Sequence, residues 1–436
     1  MKAGAAKIEI TPTDNVWMDG MIRTHPSQGV HDPLHARCLA LSVGHDLSEA
    51  CVIVSVEIVS LSERDADLIR HTVAERRGIP RERIVLAATH THSGPATIGV
   101  FNPQAIEYVA DLRGKLVHVI EEALDNLQPA DIGSASGSET TISHYRRLLA
   151  DDGKVVMNWE PVPPERIVRP LGEIDPEVGV LKVTDAADPQ QPICILFNHA
   201  GHPNVLSGDN YHISADYPGY AARLLETEYD CVAMFVNGAQ GTMDVDGLRD
   251  RDWQGVVRVG TALATATSEV VDRISPVADP YINSCAATYH LEKRKIGAEE
   301  LRWAEQLLET TGGSVQSMAD GVGEDYKAKL YKQIYDAPHT HVEIEQICVV
   351  VGDTAMISFP GELFTEIGMQ IKSRSPFRHT YLIGLANGKI GYIPTRKAIS
   401  EGGYAVDTRR LDVNAEDVIV AQSLALLRNA REAKER

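Results

Sequence analysis

The sequence predicts an α/β or α+β fold in which mixed β-sheets are flanked by helices. Short β-rich apolar runs alternate with amphipathic helical stretches over the first 275 residues. That strict alternation stops after residue 275, which argues against a simple doubly wound parallel sheet. The 436 residues, 43% of them hydrophobic, can form a large core, so disorder as the main state is excluded.

In the first half of the chain, the clearest element is a helix near 63–77. Its residues Ile69 and Val73 fall on one face, and Gly78 followed by Pro80 is typical of a helix end. Apolar runs predict strands around this helix and further along the chain. The elements expected here are strands near 51–59, 83–88, 130–143, 178–183, 192–198 and 231–236, and helices near 63–77, near 104–126 and starting at Asp216.

In the second half, helices and strands no longer alternate strictly. Because no repeat or long linker marks a boundary, we expect a single catalytic domain over 1–436, with a charged helical insertion at about 295–338. The elements expected here are helices near 251–273, 298–310, 321–335, 363–372 and 415–434, and strands near 280–291, 343–350, 354–358 and 380–385.

Charge and composition narrow the partners of this chain. Its net charge of −19 disfavours nucleic acid and anionic membranes, so a small-molecule substrate is expected, and a homo-oligomer is left open. Polar residues interrupt the longest apolar stretch, 51–61, and the N-terminus has no apolar signal core, so a cytoplasmic location is expected. The six cysteines are isolated in apolar runs and are interpreted as reduced core residues.

Two pairs of histidines follow predicted strands. His90 and His92 lie in Ala-Thr-His-Thr-His-Ser-Gly-Pro, and in extended backbone two residues that far apart point the same way. His199 and His202 lie in Phe-Asn-His-Ala-Gly-His-Pro, where a turn could bring either one to a shared centre. Asp216 lies shortly after the second pair, where it is either functional or the N-cap of the next helix.

Carboxylates and one tyrosine complete the candidate site. The loop containing Thr242, Asp244 and Asp246 is a weak signal by itself. Glu362 is expected to open a helix, where the helix dipole favours a carboxylate even without a function. Tyr392, taken alone, is typical of a core or surface aromatic residue. Histidines with carboxylates at strand ends favour a divalent metal held by nitrogen and oxygen, with zinc the leading candidate. The sequence contains neither a Walker-type phosphate loop nor a Gly-x-Ser-x-Gly elbow.

Taken in order, the motifs resemble the catalytic domain of the neutral/alkaline non-lysosomal ceramidase family. The resemblance runs from Ala-Gly-Ala-Ala-Lys-Ile-Glu-Ile-Thr-Pro, through the two histidine motifs, to Phe-Pro-Gly-Glu-Leu-Phe and Gly-Leu-Ala-Asn-Gly-Lys-Ile-Gly-Tyr-Ile-Pro-Thr. It implies the fold of that catalytic domain, without the family's C-terminal immunoglobulin-like module. It also implies one zinc ion held by two histidines, a glutamate and a tyrosine. The matching residues are His90, His199, Glu362 and Tyr392.

The same resemblance implies that His92 and Arg146 assist cleavage of the amide bond. His202, Thr242 and Asp216 are candidate substrate-binding residues. The chain departs from the family in one place, because Asp244 stands where ceramidases carry a serine needed for activity.

These features favour a zinc-dependent hydrolase that cleaves an amide or related C–N or ester bond in a small polar metabolite rather than in ceramide. His92, or Asp244 in the place of the serine, would take a proton from water, and Arg146 would stabilise negative charge. A metal-dependent isomerase or lyase acting on a sugar acid, and a non-catalytic metal-dependent binding protein, are the alternatives.

Overall fold

The computed structural model describes residues 1–44, 46–245, 251–277, 280–313 and 323–435. The strands are β1 (Lys2–Glu9), β2 (Gly29–Val30), β3 (His35–Ser42), β4 (Cys51–Val56), β5 (Ile84–Ala88), β6 (Gln128–Ser138), β7 (Ser143–Tyr145), β8 (Arg147–Ala150), β9 (Val155–Met157), β10 (Ile167–Pro170), β11 (Glu177–Asp185), β12 (Pro192–His199), β13 (His212–Ile213), β14 (Val232–Asn237), β15 (Met243–Val245), β16 (Ile282–Glu292), β17 (His341–Val351), β18 (Thr354–Ser358), β19 (Glu362–Leu363), β20 (His379–Ile383) and β21 (Tyr392–Ile393). The α-helices are α1 (Glu63–Arg77), α2 (Ile106–Asp125), α3 (Asp216–Tyr229), α4 (Trp253–Val271), α5 (Ala298–Thr311), α6 (Glu324–Asp336), α7 (Thr365–Arg374), α8 (Arg396–Glu401), α9 (Tyr404–Asp407) and α10 (Ala415–Glu435).

Two mixed sheets form the centre of the molecule. The larger has eight strands in the order β14-β12-β11-β6-β1-β3-β4-β5. Only its β12/β14 and β4/β5 pairs are parallel, and the other neighbours are antiparallel. The smaller has the order β16-β17-β18-β20, with one parallel pair, β18/β20. The predicted fold class, mixed sheets with helices, is confirmed.

The two sheets pack face to face between layers of helices. Successive residues of a strand point to opposite faces, and β4 shows this directly. Val52 and Val54 pack in the core cluster that includes residues of α1 and α2, whereas Ile53 packs with Ile347 and Val349 of the smaller sheet. Helices α3 and α4 cover the other half of the larger sheet, and α7 and α10 cover the smaller one. The order of layers is therefore helices, sheet, sheet, helices.

The predicted helix at 63–77 agrees with α1 at both ends. The Ser62 side chain caps it by accepting from the Asp65 amide, and Gly78 ends it with a φ of 73°, a value that glycine adopts without strain. By contrast, β1 and β3 were not predicted, although they lie in the middle of the larger sheet. A Cβ on Gly4 of β1 would lie 2.2 Å from a backbone oxygen of α2, so the packed helix requires a glycine in this strand.

Helices α5 and α6 lie at the position of the predicted insertion. They follow β16 and precede β17, two strands that pair with each other, and they pack together through Ala304, Ala328 and Tyr331. Residues 314–322 of the predicted insertion lie outside the described residues, and the single-domain assignment stays a prediction. All six cysteines are free thiols, as expected. In the part of the chain that the structure describes, no helix has the length and apolar character needed to cross a bilayer.

Candidate active site

His90 and His92 lie just beyond the end of β5. Their Nε2 atoms are 3.3 Å apart, so the two side chains share a site as predicted. The predicted reason, alternation along an extended strand, is wrong, because His90 has a φ of 80° in the left-handed region. Such a conformation costs a non-glycine residue about 1–3 kcal/mol and is found most often at functional sites.

The second histidine motif contributes His202 to the same site. His202 Nε2 lies 3.2 Å from Glu362 Oε2, and the imidazoles of His90, His92 and His202 form a buried cluster of potential metal ligands. His202 was predicted to bind substrate, and the structure instead places it among the candidate ligands.

His199, which was predicted to be a metal ligand, lies outside this cluster. It is the last residue of β12, with its Nε2 2.8 Å from Ser143 Oγ and its Nδ1 3.0 Å from the Glu177 carbonyl oxygen. Both ring nitrogens are therefore engaged in hydrogen bonds within the core. The structure places His202, and not His199, in the cluster with His90 and His92.

Glu362 and Tyr392 meet because their strands pair. Strands β19 and β21 are parallel, and Glu362 is directly opposite Tyr392 in their register. Glu362 therefore belongs to a short strand, and α7 begins three residues later, at Thr365, which corrects the expectation that Glu362 opens the helix. The Tyr392 hydroxyl lies 3.5 Å from His202 Nε2.

Backbone carbonyl groups fix the orientation of two imidazoles. His90 Nδ1 lies 2.8 Å from the Val59 carbonyl oxygen, and His202 Nδ1 lies 2.9 Å from that of Met243. A carbonyl oxygen only accepts hydrogen bonds, so each Nδ1 carries the proton and each Nε2 presents a lone pair. Burial lowers the pKa of His202 to about 4 and that of His92 well below its usual value, so both rings are neutral at pH 7.

These lone pairs converge on a carboxylate. The Nε2 atoms of His90 and His202 lie 3.4 and 3.2 Å from the same oxygen, Glu362 Oε2. Acceptors that face one another in a buried site are stabilised by a cation or a proton between them. Zinc binds nitrogen and oxygen at about 2.0–2.1 Å with tetrahedral geometry, which separates its ligand atoms by about 3.3 Å. The donor types and their spacing therefore fit a zinc ion.

A narrow cavity opens onto this cluster. Its volume is about 80 Å³, and it adjoins two larger surface grooves of about 570 and 670 Å³ with which it shares lining residues. Gly20 lies against His92 so closely that a Cβ there would be 2.5 Å from the imidazole ring. The other residues that line the cavity are Asp19, Val59, His90, His92, Ile98, Val100, Phe101, Tyr326, Glu362, Lys389, Gly391, Tyr392, Tyr404, Thr408 and Arg410.

Arg146 follows β7 and lies next to the cluster, fully buried. Its Nη1 is 3.2 Å from His202 Nε2, and its Nη2 donates to the Gly241 carbonyl oxygen at 2.7 Å. The guanidinium carbon also lies 5.0 Å from the centre of the Tyr392 ring. The structure thus brings Arg146 to the predicted site.

Asp244 lies near the cluster but does not line the cavity. Its oxygens accept hydrogen bonds from the Asn158 side chain at 3.2 Å and from the Val245 amide at 3.0 Å. A third donor is the Asn204 side-chain amide, whose nitrogen, when it faces Asp244, lies 2.7 Å from Asp244 Oδ1. These contacts do not favour the predicted role of Asp244 as a base. Asp246 lies outside the described residues.

Thr242 and Asp216 also lie away from the cavity. The Thr242 hydroxyl is 2.9 Å from that of Thr365, and both are buried. Asp216 is the first residue of α3, and its side chain accepts from the amides of Leu206 and Tyr217. Burial raises the pKa of Asp216 to about 7. The structure therefore supports the helix-start interpretation of Asp216 and does not bring either residue to the predicted substrate-binding position.

Sequence reasoning missed several residues that line the cavity. Lys389 lies within Gly-Leu-Ala-Asn-Gly-Lys-Ile-Gly-Tyr, where a lysine alone gives no functional signal. Arg410, Asp19 and Tyr326 lie in segments with no recognisable motif, and only the tertiary structure brings them to the site.

A buried set of nitrogen and oxygen donors beside a cavity is typical of metal-dependent hydrolases. The family model described as neutral/alkaline non-lysosomal ceramidase, N-terminal, matches residues 2–243, more than half of the chain. The chain belongs to this family, which confirms the resemblance inferred from its motifs. Family membership supports a hydrolase that cleaves an amide bond.

Two solved structures resemble the whole chain. One, described as a ceramidase complexed with C2, has a TM-score of 0.78 and 18% sequence identity, with 99% of this chain and 75% of that chain covered. The other is the neutral ceramidase from Pseudomonas aeruginosa, with a TM-score of 0.75 and 18% identity, covering 99% and 74%. At this level of identity the likeness shows the fold.

Proposed function

We propose that this chain is a zinc-dependent hydrolase that cleaves an amide or related C–N or ester bond in a small polar molecule. The observation that carries the proposal is the convergence of two imidazole lone pairs on the Glu362 carboxylate, an arrangement that a bound cation would complete. Membership in the ceramidase family supports the hydrolase class.

The residues that would hold zinc are His90, His202, Glu362 and Tyr392. A zinc ion there would lower the pKa of a bound water to about 7 and would polarise the scissile carbonyl group. Carbonyl groups of Val59 and Met243 hold the two imidazoles in the tautomer that binding requires. The strand pair that joins Glu362 to Tyr392 fixes the other two donors.

We assign proton transfer to His92. It lines the cavity, its Nε2 faces the cluster, and its low pKa leaves the ring neutral and able to accept a proton. Its Nδ1 is buried with no hydrogen-bond partner in the described part of the chain. Asp244 is the weaker candidate because its carboxylate already accepts several hydrogen bonds.

Arg146 would stabilise the negative charge that develops on the carbonyl oxygen during cleavage. Its guanidinium is buried beside His202, where a positive charge acts strongly because water is excluded. The hydrogen bond from Nη2 to the Gly241 carbonyl oxygen keeps the guanidinium in place.

The dimensions of the cavity support a small polar substrate. A cavity of about 80 Å³ is small for a ligand pocket, and charged side chains form part of its wall. A ceramide would have to place both of its hydrocarbon chains in the outer grooves, whose walls combine polar and charged residues with apolar ones.

Metal analysis combined with a substrate panel tests this proposal. Purified protein is expected to contain one zinc ion per chain and to hydrolyse short N-acyl amides faster than a short-chain ceramide, judged by kcat/KM. His92→Gln should retain zinc and lose about 10²–10⁴-fold in kcat, because it removes the proton acceptor. The control is His71→Gln, since His71 is exposed on α1.

Three results would contradict the proposal. Metal-free protein with full activity would exclude zinc chemistry, and ceramide as the better substrate would exclude the small-substrate part. Products whose mass shows no added water would favour the isomerase or lyase alternative.

A further inference from the structure

Two cationic side chains lie where the narrow cavity meets one of the outer grooves. Lys389 precedes β21 and Arg410 lies between α9 and α10, and both line the 80 Å³ cavity as well as the 570 Å³ groove. Strand β21 and helices α8 and α9 separate them in the chain, and the fold brings both to one cavity. Both therefore lie where the cavity and this groove share their walls.

Neither cation has a partner in the described part of the chain. No hydrogen bond or ion pair involves Lys389 Nζ or the Arg410 guanidinium within residues 1–44, 46–245, 251–277, 280–313 and 323–435. Some other partly buried cations of this protein are paired. For example, Lys372 Nζ lies 2.6 Å from Asp175, and an Arg294 nitrogen lies 2.5 Å from Glu300.

Among the described residues, the acidic groups that line the cavity, Asp19 and Glu362, form no ion pair with Lys389 or Arg410. Glu362 faces the histidine cluster, and Asp19 accepts from the amides of Ile98 and Gly99 through one of its oxygens. Burial lowers the pKa of Lys389, with Glu362 and Asp19 opposing the shift and Arg410 adding to it. Burying a charge without a partner is unfavourable, so such a pair of cations is expected to receive one from a ligand.

We propose that Lys389 and Arg410 form a subsite for a compact oxyanion, a carboxylate or a phosphate, carried by the substrate. An arginine can hold two oxygens of such a group at once, and a lysine supplies a point charge beside it. This inference rests on the proposed function and deepens it, since the substrate would be an amide with an anionic group close to the scissile bond. An N-acyl amino acid has this chemistry.

Equilibrium binding tests the subsite without relying on turnover. N-acetylglycine, its uncharged counterpart N-acetylglycinamide, and inorganic phosphate are titrated by calorimetry into metal-free and zinc-loaded protein. Wild-type protein should bind an anionic probe at least about tenfold more tightly than the uncharged amide, with and without zinc, because charge-assisted hydrogen bonds are the stronger ones. The tighter of the two anions identifies the source of the oxyanion.

Variants separate the subsite from bulk charge. Lys389→Gln and Arg410→Gln should each weaken the anionic probe about tenfold and leave N-acetylglycinamide unchanged. Lys389→Arg should retain most of the affinity. The matched control is Lys293→Gln, because Lys293 lines the outer groove but not the inner cavity. Circular dichroism and thermal melting check that each variant is folded.

Several outcomes would overturn the inference. Anion binding that requires zinc and ignores both substitutions would place the anion on the metal. An equal loss in Lys293→Gln would reduce the effect to general electrostatics, and equal affinity for the acid and the amide would exclude an anion site. Hydrolysis of uncharged amides without anion binding would leave the proposed function standing and remove this subsite alone.

Discussion

Two buried groups of charged and ionisable side chains differ in whether they are complete. In the first, Arg37 lies 2.6 Å from Glu57 and 2.7 Å from Glu226, and Lys7 lies 2.9 Å from Glu226. In the second, the candidate active site, the imidazoles of His90 and His202 face a carboxylate oxygen. Both groups lie at the larger sheet or its strand ends, and both are largely shielded from water.

The difference separates a structural group from a functional one. Every charge of the Arg37 group has an opposite charge beside it, so the group stabilises the fold by itself. In the site, His90 and His202 face the Glu362 carboxylate and the His90 backbone is strained, an arrangement that a bound cation would complete. Substitutions in the first group should therefore affect folding, and substitutions in the second should affect metal binding and activity.

The largest effect is expected from His202→Ala. This change removes one donor from the convergent set, so zinc content should fall from one ion per chain to background. Activity should decrease by at least about 10³-fold. Without the metal, the attacking water has a pKa of about 15.7, whereas bound to zinc it has a pKa of about 7. Elemental analysis and amide hydrolysis measure both effects, and a variant with full metal content would break the proposed distinction.

Glu57→Gln should have the next largest effect, on stability. It leaves the Arg37 charge with only Glu226, and breaking a buried ion pair costs about 3 kcal/mol or more. Denaturant unfolding should show this loss, while zinc content per folded chain should equal that of the wild type. Loss of zinc in the folded variant would mean that the two groups are coupled.

Low pH should decrease the stability of the folded protein through the Glu57 carboxylate. Burial opposes the shift, but Arg37 and His35 lower the pKa of Glu57 from its ordinary 4.5 to about 2. Between these values the folded state binds fewer protons than the unfolded state. The contribution of Glu57 is thus complete above pH 4.5 and is lost as the pH falls through about 2, up to about 3 kcal/mol. Unfolding measured in this pH range should show a shallower dependence in Glu57→Gln.

The smallest effect is expected from His199→Ala. It leaves Ser143 and the Glu177 carbonyl group without their buried partner, which costs about 1–3 kcal/mol. Zinc content should remain at one ion per chain, in contrast to His202→Ala. Loss of metal in His199→Ala without a loss of stability would restore the original choice of ligand.

Much of the secondary structure could be predicted because its signals are local. Helix α1 has an apolar face, a serine cap and a terminal glycine, and its bounds agree with the expectation. Strands β1 and β3 were missed for a physical reason. Alanine and glycine in β1 are weak strand formers, and the strand exists because it pairs with β3 and β6 and packs under α2.

The candidate site could be predicted in composition but not in every member. Five residues were predicted to belong to the site, and the structure places all five there: His90, His92, Arg146, Glu362 and Tyr392. The choice between His199 and His202 depended on which ring faces Glu362. His199 Nε2 contacts Ser143, whereas His202 Nε2 contacts Glu362, and no spacing of residues reveals this.

The sequence by itself determined the fold class, the family and the two strand-end motifs that supply histidines, because these depend on local patterning and residue order. Only the tertiary structure decided which histidine faces Glu362, that Tyr392 lies opposite that carboxylate, and that Lys389 and Arg410 line one cavity. These are contacts between segments far apart in the chain, and packing and strand pairing of the whole fold determine them.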